Sequence, residues 1–129
     1  MTPANDRRSG RDRRTSGLLR VPFVRACTLL FDGGVPESAL IVNINVLGAY
    51  LACDEMPDLG RGAGLRFQSP GTENELELRG QVAWVNPRQQ HPVHSLPPGF
   101  GLKFVSLSDH DRGKIEEIVR DYAARQQQT

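Results

Sequence analysis

The sequence predicts a small antiparallel β-barrel of five or six short strands with one C-terminal helix. Three observations lead there. Short runs of alternating apolar and polar residues are separated by Gly, Pro, Asn and Asp clusters. A single apolar stripe of helical period follows the last run. The chain has 129 residues, the length of one ordinary domain that can bury a core without staples. Strands followed by one helix with a single apolar face fit a barrel whose helix packs on its surface or plugs an end.

Residues 1–19 are Arg, Ser, Gly, Thr and Asp with almost nothing apolar, and are expected to be a disordered basic leader. The globular domain is expected over 20–125. Val21 to Phe31 is rich in β-branched and aromatic residues and reads as the first strand, broken by Asp32-Gly33-Gly34. Leu40 to Val46 alternates, with Leu40, Val42, Ile44 and Val46 on one face and Ile41, Asn43 and Asn45 on the other. Gly48 interrupts, and Ala49 to Cys53 continues extended. Asp54 to Gly64 is acidic, carries Pro and Gly, and reads as a loop before the short strand Leu65-Arg66-Phe67.

The cleanest period-2 run is Glu75 to Val85. Leu76, Leu78, Val82 and Trp84 are expected inward, with Glu75, Glu77, Arg79 and Gln81 outward. Asn86-Pro87 stops this strand, and a polar, Pro-rich loop follows over 88–99. Phe100, Leu102 and Phe104 define the last strand. Ser108 is placed as a helix N-cap, with Asp109 and Asp111 complementing the helix dipole. Ile115, Ile118, Val119, Tyr122 and Ala123 form one stripe of about four turns. Residues 126–129 are expected to fray.

The net charge of +1 hides an asymmetry. Residues 1–25 carry seven arginines against Asp6 and Asp12, a balance of about +5, and the remainder is about −4. Cys27 and Cys53 sit in apolar runs and read as small buried hydrophobes. No apolar run approaches the roughly 20 residues a membrane span needs, and no apolar stretch follows the early arginines as in a signal peptide. A cytoplasmic protein is expected.

Three stretches, in this order, resemble the PilZ family. Val42-Asn43-Ile44-Asn45-Val46-Leu47-Gly48-Ala49-Tyr50-Leu51 is similar to the family's D/N-x-S-x-x-G strand-turn-strand motif. Gly80-Gln81-Val82-Ala83-Trp84-Val85-Asn86 is similar to its G-x-V-x-W strand. Gly99-Phe100-Gly101-Leu102-Lys103-Phe104 is similar to its closing G-x-G-x-x-F strand. The resemblance implies a six-stranded antiparallel barrel with a C-terminal α-helix. It also implies a ligand, cyclic di-GMP, held by an R-x-x-x-R motif in the N-terminal segment and by the D/N-x-S-x-x-G motif. Arginine forks suit phosphate oxygens and the guanine edge.

Two departures bear on that ligand. The literal R-x-x-x-R, Arg7 to Arg11, lies nine residues before Arg20, whereas the better-placed Arg13, Arg14 and Arg20 lack its spacing. Asn43 and Gly48 match the second motif, but Asn45 stands where Ser is expected. The implied ligand residues are therefore Arg7, Arg11, Arg13, Arg14, Arg20, Asn43, Asn45 and Gly48. Two readings stay open: a cyclic di-GMP-responsive regulator acting through an unidentified protein partner, and an adaptor that has lost the ligand. With no second domain attached, output is expected to pass through another protein.

Enzyme chemistry is not expected. G-x-S-x-G, H-E-x-x-H and Walker sequences are absent, and Glu116-Glu117 at i, i+1 on a helix face apart. His91 and His94 share a loop with no further ligand nearby, too few for a metal. A nucleic-acid polymer is not expected either, because the outward strand residues lack aromatics interleaved with cations.

Overall fold

A computed structural model describes residues 20–87 and 96–127. It contains six strands, β1 (Val21–Phe31), β2 (Glu37–Ile44), β3 (Gly48–Ala52), β4 (Gly62–Gln68), β5 (Glu75–Asn86) and β6 (Gly99–Val105), and then the helix α1 (Asp109–Gln127). The strands close into a barrel in the order β1-β2-β3-β6-β5-β4, and every neighbouring pair is antiparallel. Closure leaves no unpaired sheet edge. The expected architecture is what the chain adopts. The fourth strand begins at Gly62, earlier than the sequence suggests, because Asp32 and Gly60 already donate amide hydrogen bonds to Gly62 and Val82 carbonyls.

Alternation fills the barrel. Leu29, Ile41, Ile44, Leu51, Leu65, Phe67, Leu76, Leu78, Val82, Phe100 and Leu102 form one buried cluster. Each such side chain contributes about 1.5–3 kcal/mol on leaving water. The helix joins this cluster through Ile115 and Ile118, with Val119 and Tyr122 half-buried beside it, and it packs against β1. Ser108 caps it as expected: its Oγ accepts the Asp111 amide at 3.0 Å and its carbonyl accepts the Arg112 amide at 2.8 Å. The helix runs to Gln127, and Ala, Arg and Gln in its last turns are all good helix formers.

Three irregularities shift the phase of the strands. The β1–β2 register slips between Pro22 and Arg25, the β2–β3 register between Ile41 and Asn43, and the β5–β6 register between Val82 and Trp84. A bulged residue stalls the period-2 count, so everything past it changes face relative to a simple alternation. Two expectations fail for this reason. Ile41 and Ile44 are both fully buried in the core, while Leu40 is 40% exposed and Val42 half-buried. Trp84 faces outward and is half-buried, not inward and buried.

Candidate functional site

The bulges assemble one row of outward residues. Pro22 pairs with Asn43, Asn43 with Tyr50, Tyr50 with Gly101, and Gly101 with Trp84. The row therefore crosses β1, β2, β3, β6 and β5 on the outside of the barrel. Residues flanking Tyr50, Ala49 and Leu51, point into the core, so Tyr50 itself lies outside it. Tyr50 is nevertheless 0% exposed. The Trp84 ring covers it from one side, centroids 5.3 Å apart and planes 31° apart. That approach passes over Gly101, where an added Cβ would stand 2.1 Å from the Trp84 ring nitrogen. Glycine is the residue that lets the two rings meet across the intervening strand.

On the far side of the ring, Tyr50 donates its phenol hydrogen to the Pro97 carbonyl at 2.5 Å, and buried Asn86 donates from Nδ2 to the Tyr50 oxygen at 3.1 Å. Burial pushes the Tyr50 phenol above its usual range; the Asn86 hydrogen bond opposes that rise and nearby Cys53 adds to it. The phenol thus stays a donor at neutral pH and ties the end of the β5–β6 connection to the barrel wall.

Beside Tyr50, Asn43 is half-buried, and its side-chain oxygen is fully buried with no hydrogen-bond partner among the described residues. Buried acceptors are nearly always satisfied in native proteins, which sets Asn43 Oδ1 apart among the described residues. One row away on the same outer face, Lys103 is exposed and pairs with Gly48 and Gln81. Val21 pairs with Ile44, which brings exposed Arg20 to the level of the Asn45 turn.

Asn45 is not on the strand face with Asn43. It sits in the turn between β2 and β3, buried, and its Oδ1 accepts the amides of Leu47 at 2.8 Å and Gly48 at 3.0 Å. Its own amide donates to the Gly48 carbonyl at 2.9 Å. An Asn amide closing its own turn in this way replaces a backbone turn hydrogen bond. Gly48 is required for a different reason from the expected ligand approach: a Cβ there would stand 2.1 Å from the Leu102 carbonyl oxygen of β6. The structure thus gathers Arg20, Asn43, Asn45 and Gly48 at one end of the barrel. Arg7, Arg11, Arg13 and Arg14, with His91 and His94, lie outside the described residues.

Sequence reasoning passed over Tyr50, Asn86 and Lys103 as site residues and misplaced Trp84. Only the bulge positions reveal that these share a face, and a bulge leaves no mark in an alternation count. Among the described residues, no group of three or more His, Cys, Asp or Glu side chains is arranged to hold a metal ion. No described helix is long and apolar enough to cross a membrane.

The PilZ domain family model matches residues 5–121. The fold is similar to that of the PilZ domain of CeSA from a cellulose synthesizing bacterium, known from a crystal structure. The TM-score is 0.57 at 12% identity, over 80% of this chain and 96% of that one. A search of curated protein sequences found no match. With a family model spanning most of its length and a barrel of the matching architecture, the chain belongs to the PilZ domain family, a family of cyclic di-GMP-binding signalling modules.

Proposed function

We propose that this protein is a non-enzymatic cytoplasmic signalling module that responds to cyclic di-GMP and passes the signal to a protein partner. The buried Asn43 oxygen on the outer face, without a hydrogen-bond partner among the described residues, carries this reading. A carbonyl acceptor suits the N–H donors of a guanine edge. Exposed Arg20 and Lys103 nearby suit the two phosphates, and the arginines of residues 7–14 add further forks. Ligand capture between those arginines and the Asn43 face changes the surface the module presents.

One observation favours the alternative of a ligand-free adaptor. The Asn45 oxygen, at the position of the family's Ser, is spent on the Leu47 and Gly48 amides. Isothermal titration of the full-length protein with cyclic di-GMP separates the two. The receptor reading expects saturable heat, and a loss of about tenfold or more in affinity for each of Arg14→Ala and Arg20→Ala. The adaptor reading expects no saturable heat at physiological salt. Saturable binding that survives Arg14→Ala, Arg20→Ala and Asn43→Ala together would place the ligand elsewhere and end both versions.

A further inference from the structure

At the other end of β1 from Arg20, the barrel opens into a groove of about 550 Å³ between the ends of β1 and β3 and the start of β2. This is within the roughly 300–1,000 Å³ range of pockets that hold a bound molecule or several side chains. Its lining is mixed, and Leu29, Phe31, Leu40, Met56 and Pro57 supply the apolar part. Leu40 is 40% exposed although it lies on a strand. The lip is acidic, with Glu37, Asp54 and Glu55 all exposed. The groove's Arg61 is turned onto the Phe31 ring, 4.8 Å from its centroid, and donates to the Asp32 carbonyl. The three carboxylates line the same groove as half-buried Cys53. The Cys53 thiol at the groove wall is pushed up to about 11 by burial first, then by Asp54, Glu37 and Glu55.

We propose that this groove docks a cationic segment of a partner protein, one in which Arg or Lys residues flank an apolar side chain. The apolar part of the lining supplies a seat for the central side chain, and the acidic lip supplies charge complementarity for its neighbours. A metal ion is the wrong occupant, because the carboxylates around the groove do not form a metal-holding group. Strand addition is the wrong mode, because the barrel is closed and offers no edge. The site is separate from the Asn43 face, so a module of this shape has an input end at Arg20 and an output end at Glu37. The docking holds whether or not cyclic di-GMP binds.

The test is a random-peptide display selection on the full-length protein, followed by fluorescence anisotropy with the selected peptides. Peptides carrying two or more cations around a Leu, Ile or Phe are expected to be enriched. The triple variant Glu37→Gln, Asp54→Asn, Glu55→Gln is expected to weaken them by about tenfold or more, as three partly screened charge contacts are lost. Leu40→Ser, which removes apolar lining without touching charge, is expected to weaken them independently. Raising salt weakens binding to the unaltered protein more than to the triple variant. Both variants should keep the unaltered protein's response to cyclic di-GMP, which separates failure here from failure of the receptor reading. Should the triple variant fail to fold, Glu55→Gln alone is used, in the loop after β3, with a several-fold loss expected. No enrichment, an acidic consensus, or binding indifferent to these substitutions would overturn the proposal. So would tighter competition by a synthetic peptide of residues 5–18 of this chain, or concentration-dependent self-association abolished by the triple variant, since either would give the groove a different occupant.

Discussion

Replacing Asn45 by Ala removes one oxygen and strands two amides. Leu47 N–H, at 2.8 Å, and Gly48 N–H, at 3.0 Å, both end on Asn45 Oδ1. Each hydrogen bond contributes about 0.5–1.5 kcal/mol net, and a buried donor left alone costs about 1–3 kcal/mol. The Gly48 bond is buried and the Leu47 bond partly so, which puts Asn45→Ala at about 2–3 kcal/mol. Asn45→Ser keeps a shorter acceptor that reaches one amide as a weaker hydroxyl turn, so its cost is about 1 kcal/mol. Urea unfolding at neutral pH measures both. With a slope of about 1.5–2 kcal/mol/M for a domain of this size, the Ala midpoint falls by about 1–2 M and the Ser midpoint by about half as much. A loss below about 0.5 kcal/mol for Ala, or equal losses for Ala and Ser, refutes the assignment of Asn45 as the turn's hydrogen-bond anchor. If the receptor reading holds, Ser also strengthens cyclic di-GMP binding by restoring the family's hydroxyl, so one substitution trades stability for affinity.

Further outcomes follow from the same geometry. Asn43→Leu removes a buried acceptor that has no partner among the described residues, and is expected to leave unfolding free energy unchanged or raise it by about 1 kcal/mol and, if the receptor reading holds, to abolish cyclic di-GMP heat; a clear destabilisation would show that the oxygen is satisfied within the fold. Gly48→Ala forces a Cβ to 2.1 Å from the Leu102 carbonyl, and should cost about 3 kcal/mol or more, read as a loss of soluble, cooperatively unfolding protein. Trp84→Ala uncovers Tyr50 and should cost about 2 kcal/mol, since the ring pair contributes about 0.5–1.5 kcal/mol beyond area for a half-buried side chain; an unchanged melting curve would contradict the outer-face stack. Burial pushes Cys27 from 9.0 up to about 11. The unfolded thiol ionises first, so stability is fully present below about pH 9 and falls as pH rises toward 11, by roughly 1–2 kcal/mol for this group. Cys27→Ala should make that alkaline limb shallower in pH-dependent urea titrations, the remainder coming from Cys53, also raised to about 11.

The acidic groove and the Asn43 face owe their separation to one strand. β1 runs from Val21, next to Arg20, to Phe31 in the groove wall. Its pairing with β2 places Val21 against Ile44 at one end and Leu29 against Glu37 at the other. The turn motif and the acidic lip therefore sit at opposite ends of the same hairpin, joined by a rigid ladder.

Much of the fold was legible without coordinates. Strand alternation is a local property, so Leu76, Leu78, Val82, Phe100, Leu102 and Phe104 read directly as core, and all are buried. The Ser108 cap and the Ile115–Ile118 stripe are likewise set by neighbours three or four residues away, and the helix follows them. The family motifs, read by order and spacing, pointed to the right barrel. What the sequence alone left undecided depends on partners distant along the chain. Whether Trp84 faces in or out is settled by one bulge against β6, and Ile41 by another against β3. Gly48 and Gly101 are required by Leu102 and Trp84, more than fifty and about seventeen residues away in sequence. That the Asn45 oxygen accepts the Leu47 and Gly48 amides was not legible either, because a side chain's hydrogen bonds depend on backbone geometry that composition does not encode. The acidic groove gathers Glu37, Asp54 and Glu55 from two segments that meet only when the hairpin of β2 and β3 closes. Period and propensity act over a few residues and are written in order along the chain; register, bulges and shared faces arise from pairing between distant strands, and only the folded barrel decides them.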